Sequence, residues 1–123
     1  MCIRDSSRSD QEVVAEIEIG DHHRQVFGLI HGGVHAGLIE TVASIGAFMV
    51  AQQRGQSVVG LENHTSFIRA ARGGRIRATA IPVTRGRTTQ VWQATVRDDQ
   101  GRVLAVGHVR LLCVAPDDGP AQS

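Results

Sequence analysis

At 123 residues, with 41% hydrophobic and 20% charged residues and a formal net charge of +1, the chain suits one domain with a modest core. This composition excludes a wholly disordered chain, and the balanced charge gives no global pull toward nucleic acid or an acidic surface. One tryptophan, three phenylalanines and no tyrosine leave few stacking platforms for single-stranded bases.

No apolar run reaches the ~18 residues of a membrane span, and no secretory h-region opens the chain. Two cysteines, Cys2 and Cys113, suggest a reducing compartment rather than a disulfide framework, so a cytoplasmic protein without a membrane partner is expected. Residues 1–11 are polar and aperiodic and read as a disordered or non-native leader. From Val13 the pattern alternates: Val13, Ala15, Ile17 and Ile19 take one face and Val14, Glu16 and Glu18 the other, as in a half-buried strand.

A polar loop with His22 and His23 follows, and Gly33 to Gln53 then reads as a helix of about 21 residues, apolar around most of its circumference. Arg54-Gly55 supplies its stop. Every later element reads as a strand: 57–68, 75–84, 88–97 and 103–114, with turns at Gly73-Gly74, Gly86 and Asp98–Gly101. The last is mixed enough in pattern to lie between the helix and a partner subunit. Short connections favour a meander of neighbouring strands. The pattern is α+β: one domain over 12–115, an antiparallel sheet around one central helix, and a polar tail over 116–123.

Glu40 is the anomaly in the helix. It sits between Ile39 and Val42, where a carboxylate is expensive to bury, so it is expected to be functional, or else to lie on a solvated stripe or pair with a strand arginine. Ser44, one turn on, is placed to hydrogen-bond it. His31-Gly32-Gly33 opens the helix, and backbone N–H groups freed of side chains there can polarise a carbonyl oxygen that becomes an oxyanion. Two adjacent glycines alone read better as a tight turn with a glycine N-cap; the informative feature is their combination with a carboxylate two turns inside the helix.

His31 and His35 are spaced i, i+4, but no HExxH arrangement joins them, and no metal is expected. His22 and His23 read as solvated loop residues, and His64 and His108 as ordinary strand residues. Arg69, Arg72, Arg75, Arg77, Arg85 and Arg87 flank two turns; they suit a solvated surface or, with Gly86, Thr88 and Thr89, the phosphates of a nucleotide-bearing thiol. No nucleophile elbow is present, and Cys113 lies in an apolar strand.

Gln25 to Gly33, then Glu40 and Ser44, resemble the helix signature of the hot-dog thioesterases, in particular the 4-hydroxybenzoyl-CoA and 1,4-dihydroxy-2-naphthoyl-CoA group. Val58 to Glu62, Phe67 to Arg72, Gly86-Arg87 with Gln90-Val91-Trp92, and Asp99 to Arg102 continue the likeness, which runs from about Glu12 to Val114. The resemblance implies a hot-dog fold, an acyl-CoA substrate, no cofactor, and a homodimer paired into a homotetramer with sites at the dimer interface. Glu40 would be nucleophile or general base. The Gly32 N–H, from the neighbouring subunit, would polarise the thioester carbonyl, with Gln25 and His31 nearby and Ser44 placing the water or the acyl ring.

Phe67, Arg69, Arg72, Gly86, Arg87, Thr88 and Thr89 would contact substrate. Phe67 stands where the resembled group carries histidine, and the family's usual first helix and longer first strand have no counterpart here. Hydrolysis of an aryl- or medium-chain acyl-CoA is the expected reaction. The alternatives are a hot-dog hydratase of enoyl or hydroxyacyl thioesters, using His31 with Glu40, and a non-catalytic acyl-CoA-binding module.

Overall fold

Alternation at Val13, Ala15 and Ile17 buries one side of a strand, and these three side chains are at most 2% exposed. In the computed structural model, which describes residues 4–116, β1 (Arg4–Arg8) and β2 (Val13–Glu18) form an antiparallel pair, Arg4 opposite Glu16 and Arg8 opposite Val13. The leader expected to be disordered over 1–11 is thus part of the sheet from residue 4. A ladder needs only backbone N–H and C=O groups, and a short polar strand is well suited to a sheet edge. Residues 1–3 of that leader and 117–123 of the tail lie outside the described residues.

The helix α1 (Gly32–Gln53) begins one residue earlier than the pattern predicts and ends as predicted, with Gly55 at φ 68 just beyond it. Four strands follow: β3 (Ser57–Phe67), β4 (Arg75–Arg85), β5 (Thr89–Arg97) and β6 (Val103–Val114). All six strands form one antiparallel sheet in the order β1-β2-β4-β5-β6-β3. The expected meander therefore holds for β4, β5 and β6 only. β3 pairs with β6 instead, so residues 68–74 pass over β6 and β5 before β4 begins. This is the hot-dog arrangement, a sheet curled around one helix.

α1 lays Leu38, Ile39, Val42, Ala43 and Ala47, all 0% exposed, against the inner faces of β2, β4, β5 and β6. By length and composition alone α1 is long and apolar enough to cross a membrane, contrary to the reading of the apolar runs; here 56% of that stretch is buried in the fold. Trp92 of β5 is fully buried beneath the helix, and a Cβ on Gly46 would sit 2.4 Å from its ring. The indole N–H donates to Gln90 Oε1 at 2.9 Å, and Gln90 Nε2 donates to the Ala47 carbonyl at 3.1 Å, so β5 and α1 are tied through a fully buried amide.

The two sheet edges differ. β1 is short and polar, whereas β3 has 11 residues and exposes Val59, Leu61 and Phe67. An unpaired edge of that length with apolar side chains is a template for another chain.

Candidate active site

The start of α1 is built by three backbone hydrogen bonds. The His31 N–H donates to the His23 carbonyl at 2.8 Å, the Ile30 N–H to the Ala71 carbonyl at 2.8 Å, and the Val34 N–H to the His31 carbonyl at 3.0 Å. His31, the N-cap, makes no side-chain cap and has φ −58 and ψ 137. The N–H groups of Gly32 and Gly33 consequently have no hydrogen-bond partner among the described residues, and no acidic side chain occupies the first turn.

Gly32, but not Gly33, borders a cleft of about 510 Å³ lined by Gln25, His31, Gly32, His35, Phe67 and Arg69, together with apolar residues of the 29–30 and 68–70 segments. Five of these are residues expected from the sequence. Gln25 accepts a short hydrogen bond from the Phe27 N–H, which closes the turn ending at Gly28, φ 83. The Phe67 ring lies over Gly32, where an added Cβ would come within 2.9 Å of its tip; at Gly33 a Cβ would meet nothing.

Glu40 is not in this cleft. It lies two turns further along α1, about 12 Å by the helical rise, and is exposed. The expectation that its apolar neighbours would enclose it is corrected for the single chain. Leu38, Ile39 and Val42 turn to the sheet, whereas Ala36, Glu40, Ser44 and Phe48 form a stripe on the side the sheet leaves uncovered. Ser44 does not hydrogen-bond it. The carboxylate's partner is Asn63 of β3, whose Nδ2 donates to the Ala36 carbonyl at 3.0 Å and to Glu40 Oε1 at 3.4 Å, while its Oδ1 accepts from the Thr65 hydroxyl at 2.6 Å. Sequence reasoning passed over Asn63; the available signal was two polar side chains, Asn63 and Thr65, at alternate positions of an otherwise mixed strand. Ser44 lines a separate cleft of about 340 Å³ with Arg8, Ile45, Phe48, Met49 and Gln52.

The arginines divide. Arg69 lines the cleft, but the Arg72 guanidinium donates to the Phe27 carbonyl at 3.1 Å and Arg24 to the Arg72 carbonyl, so both fasten the 20–30 loop to the crossover. Gly86, Arg87, Thr88 and Thr89 sit at the opposite end of α1, where Arg54 donates to the Arg85 and Gly86 carbonyls and Gln56 to that of Arg87, each at 3.0 Å. Within one chain they are about 30 Å from Gly32 along the helix.

His23 is buried rather than solvated, its Nδ1 accepting from the Gly20 N–H at 2.8 Å. Burial, reinforced by the neighbouring His22, lowers its pKa. His35 is buried too, and burial lowers its pKa. No three His, Cys, Asp or Glu side chains among the described residues are grouped to hold a metal ion.

A sequence model of the thioesterase superfamily matches residues 27–105, which include Glu40, β3 to β5 and all of the cleft's lining except Gln25. The chain belongs to this superfamily. This thioesterase is 41% identical over 99 residues to a candidate esterase, Rv1847, of Mycobacterium tuberculosis, covering 79% of this chain and 71% of the relative. It is 35% identical over 101 residues to the 1,4-dihydroxy-2-naphthoyl-CoA hydrolase of Escherichia coli, covering 82% and 74%. Among solved structures, that of the mycobacterial protein superposes with a TM-score of 0.90 at 36% identity, covering 92% of this chain and 91% of the other. The thioesterase HI1161 of Haemophilus influenzae gives 0.85 at 30% identity, covering 92% and 78%. The protein is a thioester hydrolase with a hot-dog fold, and the hydratase and binding-only alternatives give way to hydrolysis.

Proposed function

We propose that this thioesterase hydrolyses aryl- or medium-chain acyl-CoA in the cytoplasm, at a site completed by two copies of the chain. The observation that carries the proposal is the unpartnered N–H group of Gly32, a residue in the wall of a cleft of about 510 Å³. Preorganised donors of this kind hold charge as it develops on a thioester oxygen. A reacting carbon held at Gly32 is out of reach of Glu40 in the same chain, since the two are about 12 Å apart along the helix. A second copy brings its own Glu40 to the first copy's Gly32 and vice versa, which a two-fold axis does reciprocally.

Two surfaces favour such a dimer: the apolar outer edge of β3, with Val59 45% and Leu61 46% exposed, and the uncovered stripe of α1, with Phe48 50% exposed. Opposed helices would also carry one copy's 86–89 turn toward the other's cleft, which accounts for the distance of those residues within one chain. Two dimers joined as a homotetramer complete the proposed assembly.

Glu40 takes the proton from a water whose oxygen adds to the carbonyl carbon. The oxyanion rests on the Gly32 N–H. Its collapse expels the CoA thiolate, which receives the proton, and releases the acid. In the nucleophilic variant, a Glu40 oxygen adds first and gives a mixed anhydride that water opens. Asn63 holds the carboxylate to β3 in either case. Glu40→Gln removes the basic oxygen with little change in shape; thiol release from an acyl-CoA panel is expected to fall by about 10²- to 10⁴-fold, with the fold retained by circular dichroism. Parental rates in that variant would remove Glu40 from the chemistry.

A further inference from the structure

In the short helical turn Asp21–His23, outside the lining of the cleft, His23 is 5% exposed and encloses an Nε2 without a partner. A leucine there would leave no polar atom unpaired. The ring is nonetheless used on its other side. Nδ1 accepts from the Gly20 N–H at 2.8 Å while the His23 N–H donates to the Gly20 carbonyl at 3.0 Å, so residues 20 and 23 clamp each other in both directions. A nitrogen that accepts carries no proton, so the ring is neutral with its proton on Nε2, the form that burial also favours.

The clamp leads from the sheet to the start of α1. Gly20 follows Ile19, whose N–H donates to the Gly74 carbonyl at 2.9 Å just before β4. The His23 carbonyl takes the His31 N–H at 2.8 Å. The peptide between His31 and Gly32 is planar, and its oxygen accepts from the Val34 N–H at 3.0 Å. That bond turns the oxygen along the helix, and hence the Gly32 N–H, trans to it, out of the N-terminal end. The direction of this N–H therefore depends on where residue 31 is held, and His23 holds it. Ile30, tied to the Ala71 carbonyl at 2.8 Å, keeps a second anchor on the helix entry if the clamp is lost. We propose that His23 is a positioning residue, which through the Gly20–His23–His31 relay aims the Gly32 N–H at the thioester oxygen without touching substrate itself. The proposal rests on the reading of Gly32 as the oxyanion donor given above. A preorganised donor acts only where the charge develops, and a misplacement of about 1 Å costs up to about 10²-fold in rate.

The test follows benzoyl-CoA and octanoyl-CoA by steady-state kinetics and, in the slowed Glu40→Gln background, by the infrared carbonyl stretch of the bound thioester. A hydrogen bond to the carbonyl lowers that frequency, so Glu40→Gln is expected to shift the band down from its position in the unbound ester, and Gly32→Pro added to it to abolish the shift. His23→Leu is expected to lower kcat by about 10- to 10²-fold with KM within about two-fold of the parent, and to remove most of the band shift. His23→Asn, whose Oδ1 can accept the Gly20 N–H in place of Nδ1, is expected to restore most of both. A side chain kept only for packing would alter the melting temperature and leave the band where it is. Should the leucine variant not fold, His23→Phe, which keeps a ring without the acceptor, takes its place. A full band shift with parental kcat in the apolar variant, or an asparagine variant no better than it, overturns the role of His23 alone. A band shift that is missing in Glu40→Gln, or that survives Gly32→Pro, overturns the Gly32 reading and this inference with it. A parent that hydrolyses neither ester overturns the acyl-CoA reading beneath both.

Discussion

At the scale of single residues, the site combines side chains that composition makes conspicuous with others that it hides. Gly32 and Gly33 were visible as a helix opening, and the structure leaves their N–H groups without partners. Glu40 was visible as a charge in an apolar run, but which way it points was not. A helix apolar on nearly every side does not say which side the sheet covers, and only packing turned Leu38, Ile39 and Val42 inward and Glu40 outward. Asn63 was hidden for another reason: its link to Ala36 and Glu40 spans more than twenty residues of sequence.

The buried histidines predict how stability follows pH. Burial lowers the pKa of His35 and His23 from the ordinary 6.5, so below that value the unfolded chain binds protons that the native chain refuses. Stability is then complete above about pH 6.5 and declines as pH falls through it. Melting temperatures should drop between about pH 7.5 and 5.5, and His35→Leu should flatten part of the decline. Asp98 acts in a lower window. Desolvation pushes its carboxyl up, but the Arg102 and Gln100 N–H groups and the Arg102 guanidinium outweigh this and hold it below its usual range. Its stabilising effect is therefore lost only in acid well below the histidine window.

At the scale of elements, period and punctuation carried far. Strand alternation identified the buried face of β2, and the Asp98–Gly101 turn and the Gly55 stop stand where glycine and acidic residues indicated. The meander was legible only over β4 to β6. The pairing of β3 with β6 was not, because it joins strands separated by two others and leaves no local mark. Pairing of β1 was missed because backbone groups form that ladder and side-chain polarity does not report on them.

Contact between α1 and β5 gives a sharp prediction for Gly46. A Cβ there would meet the Trp92 ring at 2.4 Å, and that ring is held by the Gln90 amide, so it has no easy route aside. Gly46→Ala, although a better helix former, should destabilise the protein by about 1–3 kcal/mol in chemical denaturation. A variant as stable as the parent would mean that the indole repacks freely.

At the scale of the whole molecule, one chain holds the donors and the acid on the same helix but about two turns apart, with the 86–89 turn further still. It also exposes an apolar edge strand and an apolar helix stripe. The proposed shared site between copies would account for all three facts at once. The decisive measurement is complementation between two inactive variants, Glu40→Ala and Gly32→Pro. Proline suits the first helical position, His31 already has the extended conformation that precedes it, and the substitution removes the N–H while displacing only the Phe67 ring. Each variant alone should release almost no thiol. Coexpressed, half of the dimers would pair one variant with the other and carry one intact Glu40–Gly32 site, so about a quarter of parental activity should return. Coexpressed dimers that remain inactive, despite exchange shown by differently tagged subunits, would contradict the account.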